Sequence, residues 1–453
     1  MYTSAPYLNS PIWMQELMLS VRGWARSSLR EGAAFKRELA EVQSTQFLER
    51  EALQALQLAR VKRTLVHAAA NVPFYQQRFK SIGFDPRGMS SLDEIKQIPE
   101  LSKRDVFDAG NAMLSRSHRG MRVRATTSGT TGQAMLVMRD LHSINRENAF
   151  GWRQMQWAGM KVGDRRAWIR GDKVVPAAQR VAPFWRHNRG ENLLMMSSYH
   201  LSEATADAYL AELEAFDPVV FVAYPSAVLL LARHLIASGR KYRGRSLTGM
   251  VTSSETITDE QRRLVKEAFG VLMFDWYGCC ERMVAIGTCE QGRYHLLSDY
   301  SYTELMPRGD GSSEVVGTSF DNMLMPWVRY RLGDEIVPAA PEFRCECGRS
   351  FPVISHLVGR IDDYVLAPDG RQVNMMSNVL DNIPHLLEGQ VRQDKPGELR
   401  LVLAMADGAP LDEADVVRTV HAYIGSEMAV RIERVASVPR TGNGKLRVVV
   451  RTI

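Results

Sequence analysis

The chain has few cysteines and no long apolar run, and these shortages exclude several classes of protein. Five cysteines among 453 residues is a small, odd number, which argues against a disulfide framework. The uncharged apolar stretch from Val219 to Ala232 contains Pro225 and falls short of the ~20 apolar residues that span a bilayer. The N-terminus lacks the basic segment, apolar core and cleavage site of a signal peptide. These absences predict a cytoplasmic protein without a transmembrane segment.

Charge of either sign is concentrated nowhere in the sequence. Lys and Arg number 57 against 51 Asp and Glu, which leaves a net charge of +6. The absence of a Lys/Arg-rich block or basic-aromatic stripe argues against a nucleic-acid partner. A mildly basic balance instead suits small anionic ligands such as nucleotides. The length exceeds what one hydrophobic core usually holds, so more than one domain is expected.

The P-loop pattern of NTPases, Gly-x-x-x-x-Gly-Lys-Ser/Thr, is absent, but another glycine- and hydroxyl-rich segment stands at residues 125–133. Glycine lets the backbone approach a ligand closely, while hydroxyls and freed N–H groups can point at an anion. Threonine is not a typical linker residue, which argues against a flexible polar linker. The segment therefore predicts a loop that binds polyphosphate through Thr127, Ser128, Gly129, Thr130, Thr131 and Gly132.

An amphipathic helix is predicted to begin near Ser10-Pro11. Arg22, Arg26 and Arg30 lie on one side of it. We interpret the apolar face as docking on the protein's own body, with a membrane or partner surface as the alternative. The apolar face comprises Trp13, Met14, Leu17, Met18, Val21, Trp24 and Ala25.

Strands and helices alternate through most of the remaining chain, which predicts an α/β fold with substantial parallel sheet. After residue 360 a strand, a helix and another strand predict a small α+β domain. The predicted helices are 35–70, a short one from 101, 202–216, 258–269 and 412–424. The predicted strands are 167–169, 219–223, 271–276, 397–405 and 430–435.

Four further motifs follow the loop in order and carry a family resemblance. They are Tyr-Gly-Cys-Cys-Glu at 277–281, Tyr-Arg-Leu-Gly-Asp at 330–334, Gly-Arg-Ile-Asp-Asp at 359–363 and Pro-Arg-Thr-Gly-Asn-Gly-Lys at 439–445. From about Asn71 to the C-terminus, the series resembles the adenylate-forming superfamily of acyl-CoA synthetases, luciferases and adenylation domains. Within it, the chain looks most like the phenylacetate-CoA ligase branch and its CapK-like members.

The resemblance implies two domains and an enzymatic activity. A large multi-sheet N-terminal α/β domain would span residues 1–359, and a small mobile α+β domain at 360–453 would carry the catalytic lysine. Asp362 would be the hinge between them. The implied activity is that of an AMP-forming acid–thiol ligase, which makes an acyl-AMP from ATP and a small carboxylic acid and transfers the acyl group to coenzyme A. The alternative is an adenylating ligase that uses another acceptor or acid, such as an amine, a carrier-protein thiol or nitrite, or a catalytically inactive homologue. The chain could be a monomer or a homodimer.

The resemblance also assigns roles to individual residues. Lys445 would act in catalysis on the carboxylate and α-phosphate. Glu281 would bind Mg²⁺, Tyr277 would stack on adenine, and Asp334 would bond the ribose hydroxyls. The further implied ATP-binding residues are Thr127, Ser128, Gly129, Thr130, Thr131, Gly132, Ser254, Glu255, Gly278 and Arg360.

The sequence departs from the family pattern at a few positions. Gln133, Ala134 and Met135 stand where a lysine often follows the phosphate loop. Cys280 stands where many members have threonine, and Leu332 replaces another common threonine. Aromatic residues that could border the acyl group are Tyr199 and Tyr224, although either could equally be a core residue.

A second set of residues has the composition of a zinc site. Cys289 and His295 are followed about fifty residues later by Cys345 and Cys347. Three cysteines and a histidine can form a tetrahedral structural Zn²⁺ site, but the spacing alone fits reduced, buried cysteines equally well. CapK-like sequences carry the same pairs, so the resemblance implies structural zinc.

Overall fold

The computed structural model describes a chain of alternating helices and strands. The described residues are 4–30, 32–126, 135–254, 257, 259–308, 311–358, 365–373, 377–380, 383–384, 386–405, 409–435, 438–439 and 449–453. The α-helices in these ranges are α1 (Ala5–Leu8), α2 (Ile12–Arg30), α3 (Ala33–Thr45), α4 (Arg50–Asn71), α5 (Pro73–Ile82), α6 (Lys103–Ala109), α7 (Leu141–Trp157), α8 (Ala206–Phe216), α9 (Pro225–Ala237), α10 (Asp259–Phe269), α11 (Ser377–Leu380) and α12 (Glu413–Ile424). The strands are β1 (Val123–Thr126), β2 (Leu136–Arg139), β3 (Arg166–Arg170), β4 (Trp185–Asn188), β5 (Leu193–Ser197), β6 (Val220–Ala223), β7 (Gly249–Ser253), β8 (Leu272–Gly278), β9 (Ala285–Thr288), β10 (Tyr294–Leu296), β11 (Ser301–Pro307), β12 (Ser313–Ser319), β13 (Tyr330–Pro338), β14 (Val353–Val358), β15 (Val365–Leu366), β16 (Gln372–Val373), β17 (Leu386–Lys395), β18 (Glu398–Met405), β19 (Ala429–Arg434) and β20 (Val449–Arg451).

Twelve of the described strands form one sheet, in the order β4-β5-β3-β6-β7-β8-β9-β10-β14-β13-β12-β11. Neighbours from β5 to β8 run parallel. The other neighbouring pairs are antiparallel. Because carboxyl ends of parallel strands meet at one edge, the residues that follow β5, β3, β6, β7 and β8 gather there.

Helices cover both faces of the parallel part of the sheet. Phe221 of β6 packs in one core with Leu210 of α8 and Leu231 of α9. The preceding residue, Val220, packs in another core with Phe150 of α7 and residues of α3. Alternate residues of a strand therefore enter opposite layers, as its pleat requires. This arrangement confirms the predicted α/β fold class.

A separate hairpin, β1–β2, brackets the predicted phosphate loop. Thr126 pairs with Leu136 at the tip, and residues 127–134 between them lie outside the described residues. Val137 packs in a core with Ile286 of the large sheet, and the side-chain amide of Asn322 donates to the carbonyl of Met138 at 2.8 Å. The sheet thus fixes the position of both strands that carry the loop.

In chain order, β14 is the last strand of the large sheet, and the strands after it belong to smaller sheets. β15 pairs with β16, while β19, β18, β17 and β20 form a four-stranded sheet in that order. α12 packs on this sheet through Val416, Val420 and Ile424. Residues 359–364 lie outside the described residues, so the predicted division at 359/360 remains a prediction.

The predicted helix at 35–70 is wrong, because two helices occupy the region. α3 ends at Thr45 and α4 begins at Arg50. The Thr45 hydroxyl donates to Asp299 at 2.5 Å, and Gln46 accepts a hydrogen bond from the Trp157 indole at 2.9 Å. These tertiary contacts hold the chain in a turn where the apolar pattern alone would continue the helix.

The predicted helix start at Ser202 is also wrong. α8 begins at Ala206, and the backbone N–H of Ser202 donates to the Thr205 hydroxyl at 2.9 Å. That hydroxyl in turn donates to the carbonyl of His200 at 2.8 Å. The intervening residues therefore form a hydrogen-bonded turn instead of a first helical turn.

The N-terminal helix α2 packs against β4, but through a face that the sequence did not predict. Gln15 is buried and accepts a hydrogen bond from Arg186 at 2.6 Å, whereas Trp13 and Trp24 of the predicted apolar face are 62% and 68% exposed. A Cβ at Gly190 would collide with backbone atoms of α2, so this glycine permits the close approach. No helix in the described ranges has both the length and the apolar character needed to cross a membrane.

A buried ion pair joins α7 to the large sheet. Arg153 donates to the two carboxylate oxygens of Asp299 at 2.5 and 3.0 Å, and the side chains are 1% and 0% exposed. Arg153 also donates to the carbonyl of Val42 at 2.9 Å. Three elements, α3, α7 and the segment before β11, therefore depend on this one guanidinium.

We predict that Arg153→Met lowers the free energy of unfolding by about 3–5 kcal/mol, because the buried Asp299 carboxylate would lose the guanidinium that binds both of its oxygens. Chemical denaturation followed by circular dichroism measures the loss. Arg104→Met, which breaks an exposed helical pair with Asp108, is the matched control and should cost less than about 1 kcal/mol. Equal losses in both variants would contradict the prediction.

Candidate active site and metal centre

The predicted nucleotide residues Tyr277 and Asp334 meet in the structure. The Tyr277 hydroxyl, at the end of β8, donates to Oδ2 of Asp334 in β13 at 2.6 Å. Asp334 is buried, and Tyr277 is half-buried. An aromatic ring and a carboxylate side by side can take the base and the ribose hydroxyls of one nucleotide.

This contact requires the large sheet to bend. β8 and β13 are separated by three strands in the sheet order, so a flat sheet would hold them ~19 Å apart. Strand twist and irregular register accumulate over such a span. The pairings of β13 with β12 and with β14 both shift register. Curvature therefore brings the Tyr277 and Asp334 side chains into contact.

Glu281 lies in a tight turn just beyond Tyr277. The turn closes where the Arg282 N–H donates to the carbonyl of Cys279 at 3.1 Å, and Arg282 has a φ of 59°, which is uncommon for a residue other than glycine. The Arg282 guanidinium donates to the carbonyl of Ser143 in α7 at 2.9 Å. A buried carboxylate on so constrained a turn is well placed to hold a cation.

A residue that the sequence did not single out, Arg139 of β2, holds the other side of this turn. Its guanidinium donates to the carbonyl of Cys280 and lies 3.2 Å from the Cys280 sulfur. That sulfur lies 3.4 Å from the carbonyl of Thr126, the last described residue before the loop. The sequence signal is a single charged residue at the end of an apolar strand, which is too weak to interpret without the fold.

Ser254 stands at the same sheet edge, directly after β7. Its φ is 74°, in the left-handed region, and its hydroxyl donates to Ser253 at 3.4 Å. Strained backbone at the end of a parallel strand is frequent at binding sites. Ser254 directly follows β7 and Tyr277 lies near the end of the neighbouring strand β8, as their predicted common role requires.

Tyr199 and Tyr224 line a cleft of about 800 Å³ at the ends of β5 and β6. The Tyr199 hydroxyl donates to the carbonyl of Gly171 at 2.9 Å, and burial raises its pKa. Arg371, from the segment after β15, donates to the carbonyl of Tyr199 and also lines the cleft. The two tyrosines therefore stand along the same edge as Ser254 and Tyr277.

The predicted metal ligands converge in one place. The ligand atoms of Cys289, His295, Cys345 and Cys347 all lie within 4.8 Å of one another. Nδ1 of His295 lies 3.1 Å from the carbonyl of Phe351, a pairing that leaves Nε2, 3.3 Å from the Cys347 sulfur, to face the cluster. Burial opposes ionisation of Cys347, but the hydrogen bond with His295 lowers its pKa to about 6. A thiolate and an oriented imidazole are donors that zinc accepts.

Several predicted residues have no structural account. The loop residues Thr127, Ser128, Gly129, Thr130, Thr131 and Gly132, together with Glu255, Arg360, Asp362 and Lys445, lie outside the described residues.

A buried carboxyl supports β8 from inside the sheet. Asp275 accepts hydrogen bonds from the Tyr294 hydroxyl at 2.8 Å and the Thr252 hydroxyl at 3.1 Å. Burial raises its pKa from the ordinary 3.8 to about 6. The protonated Asp275 carboxyl therefore stabilises the folded protein. Its contribution is largest at a pH below 3.8 and is lost as the pH rises through the folded-state pKa of about 6.

We predict that the free energy of unfolding of the parent protein, measured against that of Asp275→Asn, falls by about 1 kcal/mol when the pH is raised from 5 to 8. The asparagine does not ionise, and its single amide oxygen can still accept one of the two hydrogen bonds. Urea denaturation of both proteins across this range measures the difference. The exposed Asp108→Asn variant should follow the parent, and a parent–Asp275→Asn difference that does not change with pH would refute the prediction.

Comparison with known proteins finds relatives along the whole chain. No family model matches. The chain is 22% identical over 454 residues to protein CapK of Staphylococcus aureus, with 99% of both chains covered. It is 27% identical over 334 residues to a phenylacetate-coenzyme A ligase of Thermus thermophilus and 26% identical over 331 residues to that of Pseudomonas putida. These two matches span 70% of this chain and 73% and 72% of the relatives.

Solved structures share the fold. The crystal structure of 2-hydroxyisobutyryl-CoA ligase in complex with 2-HIB-AMP and CoA in the thioesterification state has a TM-score of 0.56 and 19% identity. Its postadenylation state with R3-HIB-AMP has a TM-score of 0.55 and 18% identity. Each match covers 90% of this chain and 91% of the other. The chain is therefore similar in sequence to CapK and to the phenylacetate-CoA ligases, and it shares the fold of 2-hydroxyisobutyryl-CoA ligase.

Proposed function

We propose that the protein is an AMP-forming acid–thiol ligase, which activates a small carboxylic acid with ATP and transfers the acyl group to coenzyme A. The observation that carries the proposal is the hydrogen bond between Tyr277 and Asp334. Buried Glu281 lies in the turn that directly follows the strand of Tyr277. Relatives named phenylacetate-coenzyme A ligase support the reaction class, as does a structural neighbour that holds an acyl-AMP and CoA.

The reaction has two steps at one site. In the first, a carboxylate oxygen attacks the α-phosphorus of ATP, the bond to the β-phosphate oxygen breaks, and pyrophosphate leaves. In the second, the thiolate of CoA attacks the acyl carbon, the bond to the AMP oxygen breaks, and AMP leaves. Tyr277 stacks on the adenine, and Asp334 accepts hydrogen bonds from the ribose hydroxyls. These contacts hold the α-phosphorus in place for attack.

Glu281 suits a magnesium ion, because a carboxylate is a hard oxygen ligand and the turn from Cys279 to Arg282 fixes its backbone. Bound there, Mg²⁺ would neutralise phosphate charge. The family resemblance assigns phosphate contacts to Thr127–Gly132, nucleotide contacts to Glu255 and Arg360, transition-state stabilisation to Lys445 and the hinge to Asp362. We retain these assignments, and the domains 1–359 and 360–453, as parts of the proposal.

The acid would enter the cleft beside Tyr199 and Tyr224. The cleft lies at the ends of β5 and β6. β6 pairs with β7, and Ser254, directly after β7, borders the proposed nucleotide site. Both rings offer apolar faces for an acyl group, and Tyr199 is fixed by its bond to Gly171. The orientation of the parallel strands therefore supports an acyl group and an α-phosphate that meet near Ser254.

Pyrophosphate release with ATP, Mg²⁺ and a panel of acids that includes phenylacetate and 2-hydroxyisobutyrate tests the function.

We predict that Glu281→Gln raises the Mg²⁺ concentration for half-maximal release by about tenfold, because the loss of one charged ligand weakens metal binding. Glu51→Gln, an exposed change on α4, is the control. ATP binding without release for any acid would overturn the ligase proposal, and an unchanged Mg²⁺ titration would remove Glu281 from its role.

We also propose that Cys289, His295, Cys345 and Cys347 bind one structural zinc ion. Protein purified without added metal is expected to contain one zinc per chain, and Cys345→Ser is expected to lose it together with several degrees of thermal stability, since structural zinc contributes directly to folding. Metal analysis and thermal denaturation measure both. Cys280→Ser, outside the cluster, is the control for metal content. Substoichiometric zinc, with Cys345→Ser as stable as the parent, would refute the site.

A further inference from the structure

We propose that Arg139 is a further residue of the active site and binds the β- or γ-phosphate of ATP. This inference rests on the proposed function only in assuming that the nucleotide is ATP. It starts from the position of the guanidinium, which touches Cys280, the residue directly before Glu281. The guanidinium therefore lies beside the turn that carries the proposed magnesium ligand, and the Cys280 side chain that it contacts also reaches Thr126 at the base of the phosphate loop.

The hairpin register directs Arg139 toward the active site. Arg139 pairs with Val123 and Arg124 pairs with Met138. Because successive residues of a strand point to opposite faces, Arg139 and Arg124 project from opposite sides of the hairpin. Arg124 is exposed, whereas Arg139 is half-buried against the turn. Cys280, which Arg139 holds, also reaches the carbonyl of Thr126 at the start of the loop.

The contacts of Arg139 leave part of its hydrogen-bonding capacity unused. A guanidinium has five N–H donors. The contacts with Cys280 involve Nη2 alone, and Nε is buried with no hydrogen-bond partner among the described residues. A buried donor without a partner carries a free-energy cost, which an anionic ligand beside it would remove.

The charge balance of the site favours the same assignment. Glu281 and Asp334 are both acidic, and ATP adds further negative charge. The sequence from Ala125 to Met138 contains no lysine or arginine. Arg139 is the first cation after the loop, and the fork geometry of a guanidinium matches two oxygens of a phosphate. In the first reaction step, Arg139 would stabilise the pyrophosphate that leaves with the bonding electrons of the broken P–O bond.

A purely structural role makes a different prediction. If Arg139 only holds the carbonyl of Cys280, its loss disturbs the turn that follows Tyr277 and weakens every adenine nucleotide alike. If Arg139 binds the β- or γ-phosphate, its loss weakens ATP but not AMP, which lacks both groups. The ratio of the two dissociation constants therefore separates the roles, without any need to know the acid.

We predict that Arg139→Met raises the Kd for ATP by about tenfold or more and leaves the Kd for AMP within about twofold. Isothermal titration of the full chain with each nucleotide in Mg²⁺ measures both. Arg139→Lys keeps the charge without the fork and should restore part of the preference for ATP. It also serves as the test if Arg139→Met does not fold. Arg124→Met, on the other face of the hairpin, should keep the parent's ratio.

Two results would overturn the inference. One is an equal loss of ATP and AMP affinity in both Arg139 variants, which would make the residue a support for the turn. The other is an unchanged affinity for both nucleotides. Pyrophosphate release is measured separately, so a protein that prefers ATP through Arg139 but activates no acid would refute the ligase function and leave this assignment intact.

Discussion

The curvature of the large sheet between β8 and β13 is the constraint on which the candidate site depends. Tyr277 and Asp334 belong to strands with three others between them, yet their side chains share a hydrogen bond of 2.6 Å. Neither residue could contribute to a common pocket in a flat sheet. The cysteine and histidine cluster lies at this bent region, because Cys289 follows β9, His295 is in β10 and the other two cysteines connect β13 to β14. A metal bound there would cross-link β10, the segment after β9 and the connection between β13 and β14, and so stabilise the bent part of the sheet.

The turn that carries Glu281 is the second point of convergence. Arg139 reaches it from the hairpin, and Arg282 anchors it to α7. The Tyr300 hydroxyl donates to Glu147 at 2.5 Å, and the Glu147 carboxylate lies 3.7 Å from the Arg282 guanidinium. Three separate parts of the chain therefore determine where one carboxylate stands. Because several contacts position the turn, the Glu281 carboxylate can be held in place even if one of the contacting side chains moves.

The sequence predicted the α/β class and the alternation of elements, because motif order and periodicity are local signals. The four residues of the metal cluster were predicted through the family resemblance, since their spacing alone fits buried cysteines equally well. It could not predict the contact between Tyr277 and Asp334 or the position of Arg139 beside Cys280, since both depend on strand order and curvature. The α2 prediction erred in the choice of face, because the apolar pattern of Trp13 and Trp24 does not reveal that Arg186 will bury Gln15 instead. The helix predicted at 35–70 erred for a similar reason, since Asp299 and Trp157, both distant in sequence, turn the chain at Thr45 and Gln46.

Strand order also has a consequence for the nascent chain. β14 lies between β10 and β13, although it is made after both. Until β14 has been made, β11, β12 and β13 have no neighbouring strand that joins them to β10. β14 supplies the strand pairing that joins the part of the sheet with Asp334 to the part with Tyr277, and it is the last of these strands to leave the ribosome. The sheet that carries the proposed nucleotide site is therefore completed by a strand that supplies none of the residues assigned to that site.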